Sequence, residues 1–581
     1  MEANSQLVRI CIKAACESSE SVEKWRRQKR SLERLPSHLA DALLHGLLSR
    51  RLLYPSLLEV FKHSVEEVDA RGESSVDAEW MAYLGAFRHL RCLNVADCHR
   101  VTSSAIWALT GMSSLKELDL SRCLKVNDAG IRHLLSISTM EKLLISETSV
   151  TTDGVKLLSS LGKLTFLDLG GLPVTDTALS CLQVLKKLWY LDLWGSKISN
   201  RGVAVLNMFP KLSYLNLAWT SVTKLPNLLS LKYLNMSNCT IDSVLEENGD
   251  KSPTERLILS GCSFIDGADP LLYVETNFLS FLDLSHTSIP TFCFLLNMKA
   301  VEYLDLTSCM IGDDSVELVA AIGENLKNLN LSSTRISSEG VGSLAGHVPK
   351  LEILSLSQTP IDEAAISYLS MMPSLKVIDL SNTEIKGFNQ QQPLSLAALQ
   401  NLNHLQRLNL EQTQVRDEAL CPLSSFPQLS YLSLKRASLT DISLYYLSSI
   451  PKLTNLSVRD AVLTNYGLNL FKPPATLEFL DLRGCWLLTA DAILSFCRSH
   501  PQIEVRHELS HVVPSGQIVS SRASQLQFTS RPIEAHKKIE NISMSPCFID
   551  QRLKYSRDEL LSLQCTISPP KIVGDRGNAT P

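Results

Sequence analysis

Hydrophobic residues recur along most of this chain in a pattern that changes its period within each two dozen residues. In the stretch 115–135, LKELDLSRCLKVNDAGIRHLL, the first part alternates as Leu115-x-x-Leu118-x-Leu120, which predicts a half-buried strand. The second part begins at Asp128, a good N-cap residue, and has helical spacing. A strand, a turn and a short helix cannot bury their own apolar face, so such a unit must stack on copies of itself.

The pattern repeats seventeen times, mostly at intervals of 24 or 25 residues. The first positions of the units are Leu90, Leu115, Met140, Leu164, Leu188, Leu212, Leu231, Thr254, Leu279, Val301, Leu326, Leu351, Leu375, Leu405, Leu429, Leu453 and Leu477. The interval after Leu212 is only nineteen residues, which favours an extended or 3₁₀ connection over a helix. The interval after Leu375 is thirty residues and contains a surface loop insert at 387–393. Repeats between about 221 and 300 are weaker.

The repeats resemble the leucine-rich repeat family, and within it the cysteine-containing, ribonuclease-inhibitor-like subclass. The resemblance covers residues 84–508 and implies an α/β solenoid, a horseshoe of about seventeen units. The position after each strand is expected to hold a small buried side chain that hydrogen-bonds to backbone in a tight turn, so its cysteines are structural. The residues at that position are Cys98, Cys123, Cys239, Cys262, Cys309 and Cys485, and Thr148, Thr220, Thr287, Thr334, Thr359, Thr383 and Thr413.

Acidic and amide residues precede the helical segments of many units, and we expect them to cap those helices. They are Asp128, Asp153, Asp176, Asn200, Asp314, Asp362, Asp417, Asp441 and Asn465.

The regions on either side of the array have a different composition. Residues 1–83 predict a helical N-terminal cap, whose box-like helices at 31–69 cover the open end of the array. The same helices resemble the F-box of ubiquitin-ligase receptors, which implies adaptor binding instead. The residues that carry this resemblance are Leu35, Pro36, Leu39 and Leu43. Residues 509–581 are rich in Ser, Pro and Gln and predict a mostly disordered tail.

Residues that flank the second leucine of each unit project from the exposed, concave face of the predicted sheet. Because Tyr and Trp are enriched at interfaces, we predict a protein-binding face there. It consists of Phe166, Tyr190, Trp194, Tyr214, Trp219 and Tyr233. The Asp and Asn residues that follow the second leucine are interpreted as a common feature of such repeats. Towards the C-terminal end the face becomes basic, at Arg407, Lys435, Arg436, Arg459 and Arg483.

Composition limits the remaining possibilities. The net charge of -4 argues against bulk electrostatic binding to nucleic acid or to a membrane, and we find no apolar run of about 18 residues. Fifteen scattered cysteines without a secretion signal favour reduced thiols, and hence the cytoplasm or the nucleus. The sequence contains no Walker A, HExxH, GxSxG or zinc-ligand spacing, so we expect no enzyme, no cofactor and no metal. A stacked solenoid favours a protein-binding scaffold.

The tail contains one segment, residues 555–563, whose capping-box spacing predicts a helix with an apolar anchoring patch. Tyr555, Leu560 and Leu561 resemble the Tyr-x-x-x-x-Leu-hydrophobic motif of proteins that bind the cap-binding translation initiation factor, with Arg557 at the intervening basic position. None of the other twelve tyrosines has a leucine five residues later. With the array, this resembles plant leucine-rich repeat proteins of translation initiation.

That resemblance implies a non-enzymatic scaffold that binds the cap-binding factor through its tail and other proteins on its concave face. The alternative, from the N-terminal helices, is a substrate receptor of a cullin-type ubiquitin ligase.

Overall fold

A computed structural model describes residues 6–27, 35–247, 251–265, 270–388, 394–436 and 438–511. The chain divides into two compact units, Met1–Asn330 and Leu331–Pro581. Both are built from the same strand–turn–helix repeat, so the predicted α/β solenoid is confirmed. Residues 389–393 of the predicted loop insert and residues 512–581 of the tail lie outside the described residues.

A single parallel sheet runs through the first unit. Its strands are Glu67–Asp69, Cys92–Asn94, Glu117–Asp119, Lys142–Leu144, Phe166–Asp168, Tyr190–Asp192, Tyr214–Asn216, Tyr233–Asn235, Arg256–Ile258, Phe281–Asp283, Tyr303–Asp305 and Asn328–Asn330. Each pairs with the next in a register that aligns the middle leucines, as Leu167 aligns with Leu191. The strand Glu67–Asp69 pairs with Cys92–Asn94, so this sheet begins one strand before the first predicted repeat.

The second unit continues the same design. Its strands are Ile353–Ser355, Val377–Asp379, Arg407–Glu411, Tyr431–Lys435, Asn455–Arg459, Phe479–Asp481 and Glu504–Arg506. In all seventeen predicted repeats of the chain, the strand begins two residues after the predicted first position. The reason is visible in one repeat, where Leu188, Leu191 and Leu193 are all fully buried in the core. Burying each such side chain stabilises the fold by roughly 1.5–3 kcal/mol.

The helices lie on the opposite side of each sheet from the exposed positions. The α-helices of the first unit are Gln6–Ala15, Ser19–Arg26, Ser37–Ser49, Pro55–Leu58, Ala78–Gly85, Ser103–Ile106, Asp128–Leu134, Thr152–Leu157, Asp176–Leu182, Asn200–Val203 and Asp313–Ala321. Those of the second unit are Ser338–Leu344, Glu363–Leu369, Asp441–Leu447, Asn465–Leu470 and Ala490–Ser499. Short 3₁₀ helices complete the returns: Glu59–Phe61, Trp107–Leu109, Leu158–Ser160, Ala204–Met208, Cys293–Asn297, Gly323–Asn325, Ser395–Asn401, Asp417–Ser425 and Glu508–His511.

The region of weaker repeats has extended returns, as the short interval after Leu212 predicts. Between Val203 and Asp313, the described residues contain 3₁₀ turns but no α-helix. Two of the returns, Thr240–Ile241 and Ser263–Phe264, pair as a small second parallel sheet. Only the repeat that begins at Leu212 is as short as nineteen residues, which leaves no room for a helix. The next three repeats, of 22 to 25 residues, also return without an α-helix in their described residues.

The predicted Cys/Thr position has the structural role expected of it, by two different bonds. Each of its six cysteines is buried and donates to a backbone carbonyl of the preceding repeat, as Cys123 Sγ does to Val95 O at 3.2 Å. Each of its threonines donates instead within its own turn, as Thr287 Oγ1 does to Leu284 O at 2.6 Å. Burial raises the pKa of Cys123 to about 12, so this thiol stays protonated and unreactive.

The predicted helix caps are mostly wrong by one or two residues. Of the nine, Asp362 is itself the N-cap, whereas the helices that begin at Asp128 and Asp441 are capped by the preceding Asn127 and Thr440. The acidic residue at the first helical position instead bonds sideways, to a residue of the next repeat. Asp441 Oδ1 and Oδ2 accept from the backbone N (2.7 Å) and Oγ1 (2.6 Å) of Thr464, the N-cap of the next helix.

This sideways bond explains a recurring glycine. A Cβ built at Gly467 would lie 2.0 Å from Asp441 Oδ1, and one at Gly202 would lie 2.2 Å from Asp176 Oδ1. The carboxylate that holds two neighbouring helix starts together therefore occupies the space where a side chain of the next helix would begin. The same arrangement occurs in both units.

Candidate functional site

The open sheet face of each unit, the face opposite the helices, is formed by the residues that flank the middle leucine of every strand. Their side chains form columns, because the parallel register places equivalent residues of successive strands side by side. In the column before the middle leucine, the first unit has an unbroken run of four rings. We call Phe166, Tyr190, Tyr214 and Tyr233 the filled stack.

The rings of the filled stack lie face to face. Their centroids are 3.6 Å apart for Phe166–Tyr190, 4.0 Å for Tyr190–Tyr214 and 4.2 Å for Tyr214–Tyr233, with interplanar angles of 8°, 13° and 12°. All four side chains are half-buried. Four of the six residues predicted for the protein-binding face are therefore brought together. Their aromatic ring faces are covered by contacts with one another.

Cations extend this column at both ends. Lys142 Nζ lies 4.9 Å from the centroid of Phe166, and the Arg256 guanidinium lies 5.9 Å from that of Tyr233. The Arg256 guanidinium is also 4.2 Å from the centroid of Phe281, and Phe281 stacks on Tyr303, the next ring of the column. At the ringless strand Arg256–Ile258, a guanidinium thus fills the space between two aromatic residues.

Burial keeps the phenols of the filled stack protonated. It raises the pKa of Tyr190 to about 12 and raises the pKa of Tyr214 as well. Phenolic hydroxyls that stay protonated can donate hydrogen bonds at neutral pH. The filled stack therefore presents ring edges and hydroxyl donors to solvent rather than ring faces.

The two predicted tryptophans lie in the turns after the strands and not in the column itself. Trp194 packs its indole against the backbone of the preceding repeat, where a Cβ at Gly170 would lie 2.0 Å from Trp194 Nε1. Trp219 is 65% exposed. Trp189, which the sequence interpretation missed, is 44% exposed and meets the rings of Phe166 and Tyr190 edge-on. Its position directly before Tyr190 in the strand pattern was the available signal.

The column of Asp and Asn after the middle leucine is structural. Asp192 Oδ1 accepts from Trp194 N at 3.0 Å, and the equivalent acids in other repeats accept from the amide two residues on. This bond closes the turn that ends each strand. Burial raises the pKa of Asp192 to about 6, even though the Trp194 amide and the Asn216 side chain favour the carboxylate.

The open sheet face of the second unit is more polar and contains a cavity. The cavity has a volume of about 270 Å³ and lies between Tyr431 and Phe479, above Asn455. The predicted basic character is offset, because most of these cations have acidic partners. The Arg483 guanidinium donates to both carboxylate oxygens of Asp481, with an Nη2–Oδ2 distance of 2.6 Å. Arg459 pairs with Glu411.

The other three basic residues predicted for this face have different contacts. The Arg407 guanidinium covers the ring of Tyr431 at 4.4 Å. Lys435 Nζ lies 3.7 Å from Asp460 Oδ2, and Arg436 donates to the carbonyl of Thr413.

The leucines of the predicted adaptor box lie in and beside the helix Ser37–Ser49. Leu43 is buried, Leu35 and Leu39 are half-buried, and Pro36 is exposed. The Asp41 carboxylate of this helix accepts from Glu66 N at 3.1 Å, at the start of the first strand of the sheet. This bond joins the helix to the residue before the first strand of the sheet.

The tail residues predicted to bind the cap-binding factor, Tyr555, Arg557, Leu560 and Leu561, lie outside the described residues. Over the part of the chain that the structure describes, no three His, Cys, Asp or Glu residues are grouped to hold a metal ion. In the same residues, every helix is too short or too polar to cross a membrane.

A short part of the chain matches a known repeat family, and several solved structures of low identity are similar to the chain. The family described as Leucine Rich repeat matches residues 324–345. No curated protein sequence matches the chain. Similar solved structures include an internalin, InlF, from Listeria monocytogenes, which is 18% identical over 68% of this chain and 94% of that chain, with a TM-score of 0.39.

Two further structures have lower identity. A leucine-rich repeat protein of Leptospira interrogans is 15% identical over 80% of this chain and 98% of that chain, with a TM-score of 0.36. The plant peptide hormone receptor RGFR1, in complex with RGF2, is 15% identical over 78% of this chain and 81% of that chain, with a TM-score of 0.37.

Stacked strand–turn–helix units in one register define a repeat solenoid. Within this solenoid, residues 324–345 match the leucine-rich repeat family.

Proposed function

We propose that this chain is a non-enzymatic protein-interaction scaffold and that the filled stack, with Trp189 and Trp219 beside it, binds a partner protein. The observation that supports this proposal is the run of four stacked rings on the open sheet face of the first unit. Tyr and Trp are the residues that most often dominate binding energy at protein interfaces. Here they are held rigid by one another, so a partner would lose little side-chain entropy on binding them.

The chemistry of the surface favours a partner segment rich in hydrogen-bond acceptors. Ring edges carry partial positive charge, and the phenols of Tyr190 and Tyr214 are donors at neutral pH. Exposed backbone carbonyls or acidic side chains complement such a surface. An extended segment that crosses successive strands would meet one ring edge per repeat.

The test uses the exposed tryptophans, because they lie beside the filled stack and are not among its four face-to-face rings. Full-length chain carrying Trp189→Ala and Trp219→Ala is compared in quantitative affinity capture with a Trp107→Ala control, whose side chain is 67% exposed on a short 3₁₀ helix away from the sheet. We expect partners kept by the control to be depleted at least tenfold with the double variant. Equal recovery of every partner by both variants would rule out this binding face.

We also propose that the tail motif binds the cap-binding translation initiation factor, which makes the scaffold a regulator of translation initiation in the cytoplasm. The support is the spacing of Tyr555, Leu560 and Leu561 in the sequence, and the presence of a repeat array before them. This combination resembles the plant protein Ceres, and the buried Cys position resembles the cysteine-containing repeat subclass.

The tail proposal has its own test, on cap-analogue resin loaded with the purified factor. Tyr555→Ala with Leu560→Ala should abolish retention of the chain, whereas a Tyr466→Ala control in the second unit should be retained like the wild type. Unchanged retention of the double variant would disprove this mode of binding and leave the filled stack untouched.

The alternative function, a substrate receptor of a cullin-type ubiquitin ligase, depends on the N-terminal leucines being available to an adaptor. Burial of Leu43 counts against it. Copurification of a cullin adaptor that is lost on Leu35→Ala and Leu39→Ala would favour it.

A further inference from the structure

The ring column of the second unit is interrupted at one strand. Tyr431 and Phe479 occupy the same column on strands that each pair with Asn455–Arg459, and the residue between them is Asn455. The outer face of each ring is covered by a guanidinium, from Arg407 at 4.4 Å and from Arg506 at 4.7 Å. The other face of each ring, on the side of Asn455, lines the cavity.

The width of this gap suits one planar group. Rings on adjacent strands of the first unit stack 3.6–4.2 Å apart, so one ringless strand leaves room for a single ring in contact with both neighbours. In the first unit the equivalent gap, between Tyr233 and Phe281, is filled by the protein's own Arg256. Asn455 is too short to fill the gap in this way. We call the space between Tyr431 and Phe479 the slot.

The slot is deep because the neighbouring column is formed by small residues. Most repeats place Asp or Asn after the middle leucine, but the strands Tyr431–Lys435 and Asn455–Arg459 have Ser433 and Ser457 there. The resulting cavity of about 270 Å³ is slightly smaller than whole small-molecule sites, which have roughly 300–1,000 Å³. Its size is suited to one side chain.

The base of the slot carries hydrogen-bonding groups that lack partners. Ser457 is 8% exposed, and its Oγ has no hydrogen-bond partner among the described residues. The same holds for Nε of Arg459, two residues further along the same face of the strand. A buried donor without a partner destabilises the folded state, and an acceptor atom on a ligand would relieve that cost.

The charges around the slot favour an anionic ligand. Its lining contains three guanidiniums, of Arg459, Arg483 and Arg506, against the carboxylates of Glu411 and Asp481. Glu411 is engaged by Arg459 and Asp481 by two bonds from Arg483. Arg506 also pairs with Glu504, which lies outside the lining, so the lining itself has one more guanidinium than carboxylates. An inserted cation would be repelled, whereas a carboxylate beside the inserted ring would meet positive charge.

We infer that the slot binds one aromatic side chain of a partner protein segment, with an acidic residue next to it in that segment. The ring lies between Tyr431 and Phe479, and the adjacent carboxylate accepts from the groups around Ser457 and Arg459. This second site adds to the scaffold proposed above and does not depend on the filled stack.

The test measures binding of a fluorescent-labelled acetyl-Asp-Trp-Asp-amide peptide to the full chain by anisotropy. Asn455→Phe places the protein's own ring in the gap and should weaken binding at least tenfold without lowering the unfolding midpoint. Asn328→Phe makes the same change at the same column position of another repeat and should leave affinity unchanged. Ser457→Ala should weaken binding about fivefold, the effect of one hydrogen bond.

Two altered peptides test separately whether binding needs the aromatic ring and the negative charge of the probe. Asp-Ala-Asp and Lys-Trp-Lys should each bind at least tenfold more weakly than Asp-Trp-Asp. Equal binding of any of these peptides, or of Asn455→Phe and wild type, would overturn the inference. So would a tenfold gain in affinity for the probe when Phe548→Ala and Tyr555→Ala are introduced in the full chain, because the tail and not a partner would then occupy the slot.

Discussion

The two units use the same columns of their open sheet faces in opposite ways. In the first unit, four consecutive strands supply Phe166, Tyr190, Tyr214 and Tyr233, and each ring is covered by the next. In the second unit, Tyr431 and Phe479 are separated by Asn455 and leave a slot. One repeat without a ring therefore changes a self-covering column into a cavity.

The difference separates stability from recognition. A ring that stacks on both faces contributes to the folded state and offers a partner only its edge. A ring with one uncovered face contributes less to folding and keeps that face for a ligand. The consequences can be tested by substitutions in matched positions of the two units.

The largest expected effect concerns what the two units share. Gly202→Ala in the first unit and Gly467→Ala in the second each force a Cβ onto the aspartate that joins neighbouring helix starts. We expect each substitution to lower the free energy of unfolding by about 3 kcal/mol, as overpacking does. Denaturant unfolding measures it, with Gly162→Ala as control, because a Cβ there meets nothing within 4 Å. If either substitution lowered the unfolding free energy no more than Gly162→Ala does, the close contact between aspartate and glycine would not be a stabilising feature that the two units share.

A smaller effect should distinguish the units. Tyr214→Ala removes two ring contacts, at 4.0 and 4.2 Å, whereas Tyr431→Ala removes the stacking of a guanidinium. We expect unfolding free energy to fall by about 1–2 kcal/mol more for Tyr214→Ala, since each aromatic pair contributes about 0.5–1.5 kcal/mol beyond burial. Equal losses in the same denaturant series would show that the filled stack is not a stabilising element.

The smallest effect is a pH dependence of opposite sign in the two units. Burial raises the pKa of Asp192 to about 6, so its ionisation opposes folding and stability falls as pH rises from about 4 to about 6. Burial opposes ionisation of Asp481 as well, but the hydrogen bonds and charge of Arg483 outweigh it and lower its pKa. The stability that Asp481 contributes is present above its unfolded pKa of 3.8 and is lost as pH falls through its lowered folded pKa.

Unfolding free energies at several pH values between 3 and 7 check this contrast. Asp192→Asn should remove most of the fall in stability between pH 4 and 6. Asp481→Asn should instead remove stability that the wild type gains above pH 3.8. Identical pH profiles for the two variants would contradict the assigned environments.

The sequence predicts the frame of this protein well because the frame depends on local period. Leucine spacing places the strand of every predicted repeat, and the six cysteines behave as structural donors. The helix caps were mislocated because Asp441 bonds to Thr464 in the next repeat, a contact between residues 23 positions apart that local capping rules do not consider. A repeat-by-repeat alignment of Asp, Thr and Gly would have revealed it.

The functional surfaces are harder to read for a related reason. The filled stack was predicted from one column, but Trp189 was missed because the column rule assigns it no role. The slot depends on three small residues on two strands, Ser433, Asn455 and Ser457, and each is unremarkable in the sequence. Their effect depends on the spacing between strands, which the structure supplies.

The central claim is that the two open sheet faces have different roles. The filled stack of the first unit stabilises the fold, and the slot of the second unit binds an aromatic side chain. The most direct test is one titration of the Asp-Trp-Asp peptide against wild type, Tyr214→Ala and Asn455→Phe. The account predicts wild-type affinity for Tyr214→Ala and at least tenfold weaker binding for Asn455→Phe. Weakening by Tyr214→Ala with no change for Asn455→Phe would contradict it.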